Sequence, residues 1–204
     1  KYYIVRIAWV FGVNGKNFIK TMLNLGETHD TLTVVDDQVG TPTYTYDLAR
    51  LLVDMLEKDA YGKYHVTNEG GYITWYEFAK EIFAQAGMDV NVVPVTSDKF
   101  PAKAKRPHNS RMDKSKLKKN GFTPLPTWQD AVARYLKEIE EQNAKIKELK
   151  DEIEQKEAKK DNLKQNKEKF EKELNEKQAE LDKLTEKLSS KELEIEGYKH
   201  TVEE

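Results

Sequence analysis

The sequence contains no cysteine, so it can form neither a disulfide nor a thiolate-ligated metal site. It also lacks any apolar run near the roughly 20 residues that a membrane-spanning helix needs, and it shows no signal peptide. Basic and acidic residues number 34 and 36, so no overall field favours nucleic acid or a membrane surface. We therefore expect no nucleic-acid or membrane partner and a cytoplasmic location. Because the chain begins at Lys1 inside a strand-like run, we expect a fragment of a longer protein.

Glycine and proline are nearly missing from the last third of the chain. All six prolines and all three tryptophans lie before Leu136, and Gly197 is the only glycine after it. Charged residues make up 34% of the sequence, above the roughly 25% of an average domain, and they are concentrated in this last third. The composition predicts two unlike parts, a globular domain at 1–137 and a charged helix at 138–204.

The front part alternates β-branched apolar runs with segments of helical spacing, which favours an α/β fold with a partly parallel sheet. The predicted strands lie at 2–10, 31–35, 62–66 and 90–95. The predicted helices lie at 17–25 and 47–56, after Thr74, and from about Trp128. The nearly continuous first run predicts a strand buried on both faces. Thr74 is a predicted N-cap, with Glu77 completing a capping box.

The segment 34–45 connects a predicted strand to a predicted helix through a polar loop. Ligands of α/β folds bind outside the carboxyl ends of strands, so this loop is a candidate site, although a plain connection is the alternative. We expect Gly40 to adopt a backbone conformation closed to other residues and Pro42 to fix the following turn.

A basic segment lies between Asp98 and Asn120. Its lysines are typical of a solvated surface. Arg106 and Arg111 could hold a pyrophosphate, because a guanidinium group pairs with two phosphate oxygens at once. No aromatic residues alternate with the basic ones, as a stacking surface for single-stranded nucleic acid would require.

Five co-linear segments resemble one family: Arg6–Gly12, Gly15–Phe18, Asp37–Thr43, Thr74–Phe78 and Arg106–Ser110. The resemblance is to the C-terminal half of dTDP-4-dehydrorhamnose reductases, which are extended short-chain dehydrogenases/reductases. It covers about residues 2–137 and implies an incomplete Rossmann-type sheet with a substrate-binding region. It also implies reduction of a 4-keto sugar on a nucleotide with NADPH or NADH, in dTDP-rhamnose biosynthesis. The related regulatory subunit of methionine adenosyltransferase shares this half without needing reductase activity.

The resemblance implies one set of dTDP-sugar-binding residues: Trp9, Asn17, Phe18, Gln38, Pro42, Thr43, Arg106, Asn109 and Ser110. Trp9 would offer a flat apolar wall to the deoxysugar, and Asn17 and Phe18 would approach the diphosphate or the base. The residues at 38–43 would shape the cleft, and those at 106–110 would bind the nucleotide end. A purely structural role is the alternative for each of them.

The sequence departs from the family in its cofactor half. The Gly-rich turn and the catalytic Tyr-x-x-x-Lys pair are expected before Lys1, and no G-x-x-G-x-x-G occurs in this sequence. Tyr76 and Lys80 have the catalytic spacing but follow the cleft motifs in a predicted helix, so we assign no catalytic residue. The histidines show no metal-ligand spacing, and no metal is expected.

The tail carries a seven-residue repeat. Its a positions are Ile139, Ile146, Ile153, Lys160, Lys167, Leu174, Leu181, Leu188, Ile195 and Val202, and its d positions include Leu149, Leu163, Phe170, Leu184 and Tyr198. This period predicts a left-handed coiled coil and a homo-oligomer, with two strands favoured. Lysines on the seam weaken its middle, and a solvated single helix is the alternative. The family's pattern has no such tail.

Three hypotheses remain open from the sequence. The chain is the substrate-binding half of a nucleotide-sugar reductase, a non-catalytic ligand-binding or regulatory domain on an oligomerising coil, or a coiled-coil subunit whose front domain is a cap. Binding of a dTDP-sugar separates the first from the third, and cofactor turnover separates the first from the second.

Overall fold

The computed structural model describes residues 1–100 and 106–202, with side chains up to residue 195. Its helices are α1 (Phe18–Gly26), α2 (Thr45–Leu56), α3 (Trp75–Ala86), α4 (Ser115–Lys119) and α5 (Trp128–Val202). Its strands are β1 (Tyr3–Arg6), β2 (Val10–Phe11), β3 (Thr31–Val35), β4 (Val39–Gly40), β5 (Thr43–Tyr44), β6 (Gly62–His65), β7 (Ile73–Thr74) and β8 (Asn91–Val95). None of the described helices is both long and apolar enough to cross a bilayer.

The strands form four pairs, and three of them are parallel: β1 with β6, β2 with β5, and β3 with β8. The remaining pair, β4 with β7, is antiparallel. The fold is therefore mixed α/β, as the alternation of strands and helices predicted. In the β3–β8 pair, Val35 lies opposite Val95, so the carboxyl ends of both strands open at the same edge.

The first apolar run was predicted as one strand buried on both faces, and this prediction is wrong. β1 ends at Arg6, and its residues alternate between half-buried and exposed. Trp9 then adopts a left-handed backbone conformation, with φ of 49°. No strand continues through that conformation in an L-residue, so the chain turns and β2 begins at Val10.

Local chemistry sets the ends of the helices that face the candidate site. Asn17 caps α1, since its side-chain oxygen accepts from the backbone N–H of Lys20 at 3.0 Å. The predicted capping box of α3 is confirmed, with Thr74 and Glu77 each bonding the other's backbone. Gly87 ends α3 in the left-handed conformation that glycine adopts without a steric cost.

The core of the front part consists of two clusters. The larger one packs α1, α3 and the first turns of α5 around Phe11 and Phe78. The smaller one packs α2 against Tyr64 of β6, with Leu117 of α4 alongside. Tyr135 of α5 is fully buried in the larger cluster, so the start of this helix is part of the globular core.

Two compact units are distinguished, Lys1–Asn143 and Ala144–Glu204. The described residues of the second unit are one continuous helix, within α5. Its apolar side chains up to Ile195 are all exposed. The helix agrees with the predicted secondary structure of the tail, while the predicted pairing into a coiled coil remains a prediction.

Candidate functional site

A cleft of about 1010 Å³ opens where β3 and β8 end. Its floor includes the last residues of β3, its sides include one face of α1 and the start of α3, and its rim includes residues 106–108 and Ser110. The cleft is therefore in the place where α/β folds bind ligands. Part of the predicted set lines it: Trp9, Phe18, Gln38, Arg106 and Ser110.

One wall of the cleft is aromatic. The indole rings of Trp9 and Trp75 stack with centroids 3.7 Å apart and planes 14° from parallel. Phe18 packs against Trp75 at 4.6 Å, and its own ring stacks on Phe78. This wall gives the cleft an apolar lining, while the two faces of the Trp9 ring are covered by Trp75 and by the backbone of Gly40.

The absence of a side chain at Gly40 leaves room for the indole of Trp9. A Cβ on Gly40 would lie 2.7 Å from Cε2 of Trp9, closer than real carbon atoms approach. The expectation that Gly40 adopts a conformation closed to other residues is wrong, because its φ is not positive. The glycine is needed because the indole lies directly on its backbone.

The polar edge of the cleft centres on Asp37. Its Oδ2 accepts hydrogen bonds from the backbone N–H and the hydroxyl of Ser97, at 3.0 and 2.8 Å. These bonds, the backbone one first, hold the pKa of Asp37 below its usual value, and nearby His108 acts in the same direction. The other oxygen, Oδ1, is buried and accepts no hydrogen bond from any described residue.

The rim is held in place by backbone pairing with β4. Val39 donates to the carbonyl of His108 at 2.8 Å and accepts from the N–H of Ser110 at 2.7 Å. Arg106 lines the cleft beside this rim, whereas the guanidinium of Arg111 lies over the ring of Tyr72. Arg111 is not among the residues that line the cleft, and the joint pyrophosphate clamp stays a prediction.

Four other predicted residues are held by contacts within the protein. The amide of Asn17 donates to the carbonyl of Gly12 and to the hydroxyl of Tyr135. Asn109 accepts from the backbone and side chain of Arg111. Pro42 and Thr43 are buried, where the carbonyl of Pro42 accepts from Asn68 and the hydroxyl of Thr43 donates to Ala8.

The contacts of Pro42 and Thr43 fix the strand beside the cleft. None of these four residues lines the cleft. Their assignment to ligand binding stays a prediction. Lys103 and Lys105 of the basic segment lie outside the described residues.

Neither Tyr76 nor Lys80 lines the cleft. The ammonium of Lys80 lies 5.5 Å from the centre of the Tyr76 ring, over its face. This is a cation–π contact and not a hydrogen bond to the hydroxyl. No group of three or more histidine and acidic side chains in the described part of the chain could hold a metal ion.

The glycine in the turn before α1 has a packing role. At the turn before α1, a Cβ on Gly12 would lie 2.1 Å from the hydroxyl of Thr45, so this glycine serves close packing against α2. The first turn of α1 is capped by Asn17. The NAD(P)H implied by the resemblance therefore does not fit this turn.

Several lining residues were not predicted, including Trp75, Asp37 and Ser97. Trp75 and Asp37 belong to segments that carry the resemblance, so those segments were the available signal. Ser97 follows β8, and its position next to Asp37 depends on the pairing of β8 with β3. No local pattern in the sequence indicates that pairing.

The sequence of this chain is similar to those of known proteins. The family described as RmlD substrate binding domain matches residues 1–141. The spore coat polysaccharide biosynthesis protein SpsK of Bacillus subtilis is 39% identical over 66% of this chain and 47% of its own length. The dTDP-4-dehydrorhamnose reductase of Escherichia coli K12 is 37% identical over 68% of this chain and 50% of its own.

A solved structure extends the likeness to three dimensions. The crystal structure of dTDP-4-dehydrorhamnose reductase from Bacillus anthracis in complex with NADP superposes with a TM-score of 0.63 and 43% identity. The alignment covers 68% of this chain and 48% of that one. This chain thus spans about half the length of the curated relatives it matches. Over residues 1–141 the chain belongs to the RmlD substrate-binding domain family.

Proposed function

We propose that residues 1–137 are the dTDP-sugar-binding part of an NAD(P)H-dependent reductase that acts on a 4-keto nucleotide sugar in dTDP-rhamnose biosynthesis. The observation that carries this proposal is the cleft at the ends of β3 and β8, with its aromatic wall and its polar edge. Relatives named as dTDP-4-dehydrorhamnose reductases support it. We also propose that the protein is located in the cytoplasm.

The residues of the cleft suit the parts of such a ligand. Trp9 and Trp75 both line the cleft and can offer apolar contact to a deoxysugar, which carries fewer hydroxyl groups than an ordinary sugar. Arg106 can pair with diphosphate oxygens through its planar guanidinium. Gln38 and Ser110 line the cleft and can donate hydrogen bonds to the ligand.

The hydride-transfer step is not assigned to these residues. In the family, NADPH or NADH supplies the hydride, whereas this sequence contains no G-x-x-G-x-x-G and its Tyr76 and Lys80 do not line the cleft. We therefore predict that residues 1–204 alone do not oxidise NADPH above background with dTDP-4-dehydrorhamnose. Turnover by the purified chain would contradict this.

A second function is favoured by the tail. Residues 138–204 carry the heptad pattern, and the apolar side chains of the helix are exposed up to Ile195. We propose that this segment is a coiled coil that joins copies of the chain. A non-catalytic or regulatory ligand-binding domain on an oligomerising coil is then the alternative to a reductase half.

Calorimetry with dTDP-sugars tests the binding proposal. We expect measurable heat, and we expect Arg106→Gln to weaken affinity by about tenfold, because charged hydrogen bonds to phosphate are lost. Arg50→Gln is the matched control, since Arg50 is also exposed but lies on α2 away from the cleft. Absence of heat, or equal effects of both variants, would argue against a nucleotide-sugar site.

A further inference from the structure

The helix of the second unit exposes an apolar seam that four lysines interrupt. The side chains of Ile146, Leu149, Ile153, Leu163, Phe170, Leu174, Leu181, Leu184 and Leu188 are between 45 and 68% exposed. Soluble proteins seldom leave such a stripe in water unless it is an interaction site. We propose that the seam binds the same segment of a second copy in antiparallel orientation, centred between residues 168 and 169. This proposal rests on the proposed coiled coil and adds its direction and register.

The flanking charges distinguish the two orientations, because residues beside the seam contact their counterparts on the other helix. In a parallel pair, the residue before each a position faces the residue five further on in the other chain. Lys145 would then face Lys150, Glu152 would face Glu157, and Lys159 would face Lys164. All three are like-charge contacts, and such contacts disfavour a parallel homodimer.

In the antiparallel pair, the residues before the a positions face one another. Lys145 then faces Glu194 of the second copy, Glu152 faces its Lys187, and Lys159 faces its Glu180. Every one of these contacts is attractive, and the two-fold axis repeats each of them. Complementary charge at these three contacts favours a specific homodimer in this orientation.

The register follows from the same charges. Moving the second helix by one heptad in one direction places Glu152 against Glu194 and Lys159 against Lys187. Moving it by one heptad in the other direction places Lys145 against Lys187 and Glu152 against Glu180. Both shifts create repulsion, so only the register centred between residues 168 and 169 matches the charges of the two copies.

The seam lysines give independent support. In a parallel pair, Lys156, Lys160, Lys167 and Lys177 would each face their own copy across the seam. In the antiparallel register, Lys156 faces Leu181 and Lys167 faces Phe170, so the stem of each lysine can cover an apolar partner. Only Lys160 and Lys177 still face each other. The apolar layers are Ile153 with Leu184, Leu163 with Leu174, and Leu149 with Leu188.

Cysteine cross-linking on the full chain tests the orientation, and the absence of native cysteine makes the background silent. Two variants, Ile153→Cys and Leu184→Cys, are mixed, with one of them carrying a size tag. We expect a mixed disulfide-linked dimer and little linkage of either variant alone. Ile153→Cys mixed with Leu174→Cys is the control, since residue 174 lies about 15 Å further along the helix. Linkage of Ile153→Cys to itself would show a parallel pair and overturn the proposal.

A charge-reversal cycle provides the second test. Glu152→Lys and Lys187→Glu should each raise the dimer Kd by about tenfold, and the double variant should restore it. Residues 152 and 187 lie roughly 50 Å apart along one helix, so they can interact only between copies in an antiparallel pair. Single effects that merely multiply in the double variant would overturn the orientation.

Sedimentation of the unmodified chain separates the two possible failures. A monomer at high micromolar concentration would overturn the proposed oligomer together with its orientation. A dimer that cross-links as a parallel pair would overturn the orientation alone. Nucleotide-sugar binding is measured on the same samples by calorimetry, so the reductase proposal is judged separately.

Discussion

Arg134 contacts Asp47 through two hydrogen bonds, from Nη1 to Oδ1 at 2.9 Å and from Nη2 to Oδ2 at 2.8 Å. Asp47 is buried at the start of α2, and Arg134 lies near the start of α5. The amide of Asn68 also donates to the same carboxylate, at 2.7 Å. The pair therefore fixes one helix end against another in the front unit.

We expect Asp47→Ala to lower the free energy of unfolding by about 3 kcal/mol, because it leaves the guanidinium of Arg134 and the amide of Asn68 without their acceptor. Urea denaturation of the chain measures this loss. Asp130→Ala is the control, since Asp130 is the exposed partner of the same arginine and should cost less than about 1 kcal/mol. Equal losses in the two variants would contradict the role of the buried pair.

Gly40→Ala should lower stability by about 1–3 kcal/mol, because the new Cβ overlaps the indole of Trp9. A change in tryptophan fluorescence should accompany this loss of stability, because the Trp9 ring is displaced from its stack on Trp75. In a Trp9→Leu background the same substitution should cost much less. A cost that is unchanged in that background would show that Gly40 is needed for another reason.

The hydroxyl of Tyr135 donates to the carbonyl of Gly12 at 2.8 Å and accepts from the amide of Asn17 at 2.7 Å. Tyr135→Phe removes one hydrogen-bond partner from the carbonyl of Gly12 and one from the amide of Asn17. We therefore expect the free energy of unfolding, measured by urea denaturation, to fall by about 1–2 kcal/mol. Tyr46→Phe is the matched control because Tyr46 is exposed, and its stability should not change.

Stability should fall in acid through Asp37. The hydrogen bonds from Ser97 lower the pKa of this carboxyl in the folded state, so its stabilising effect is complete above the unfolded pKa of about 4. The effect is lost as the pH falls through the lower, folded pKa. The stability difference between the natural chain and Asp37→Asn should therefore be constant at neutral pH and shrink below pH ~4.

Urea titrations at several pH values measure that difference. Asp89→Asn, at an exposed position, controls for the removal of a surface carboxylate. A difference that stays constant into strong acid would contradict the assignment of the low pKa to Asp37.

Local signals in the sequence were sufficient for much of the fold. The β-branched run at 31–35 is a strand with those bounds, and the capping box at Thr74 and Glu77 is present, because each depends on neighbouring residues alone. The strands β4, β5 and β7 were missed. Each has two residues and exists only because a distant segment pairs with it, as Val39 does with Thr74.

The candidate site was predictable only where a local motif carried it. Trp9 and Arg106 belong to segments with a family resemblance, and both line the cleft. The left-handed turn at Trp9 was missed, because it depends on the space left by Gly40, far along the chain. The contact of the Arg111 guanidinium with the ring of Tyr72 was also missed, because the two residues are far apart in the sequence.

The left-handed backbone of Trp9 has a consequence for ligand affinity. This conformation costs a side-chain-bearing residue roughly 1–2 kcal/mol, and the packing of the indole on Gly40 and Trp75 offsets it. The ring is therefore confined by both backbone and neighbours before any ligand arrives. At the proposed sugar site, Trp9 would lose little entropy on ligand binding, because its ring is already ordered.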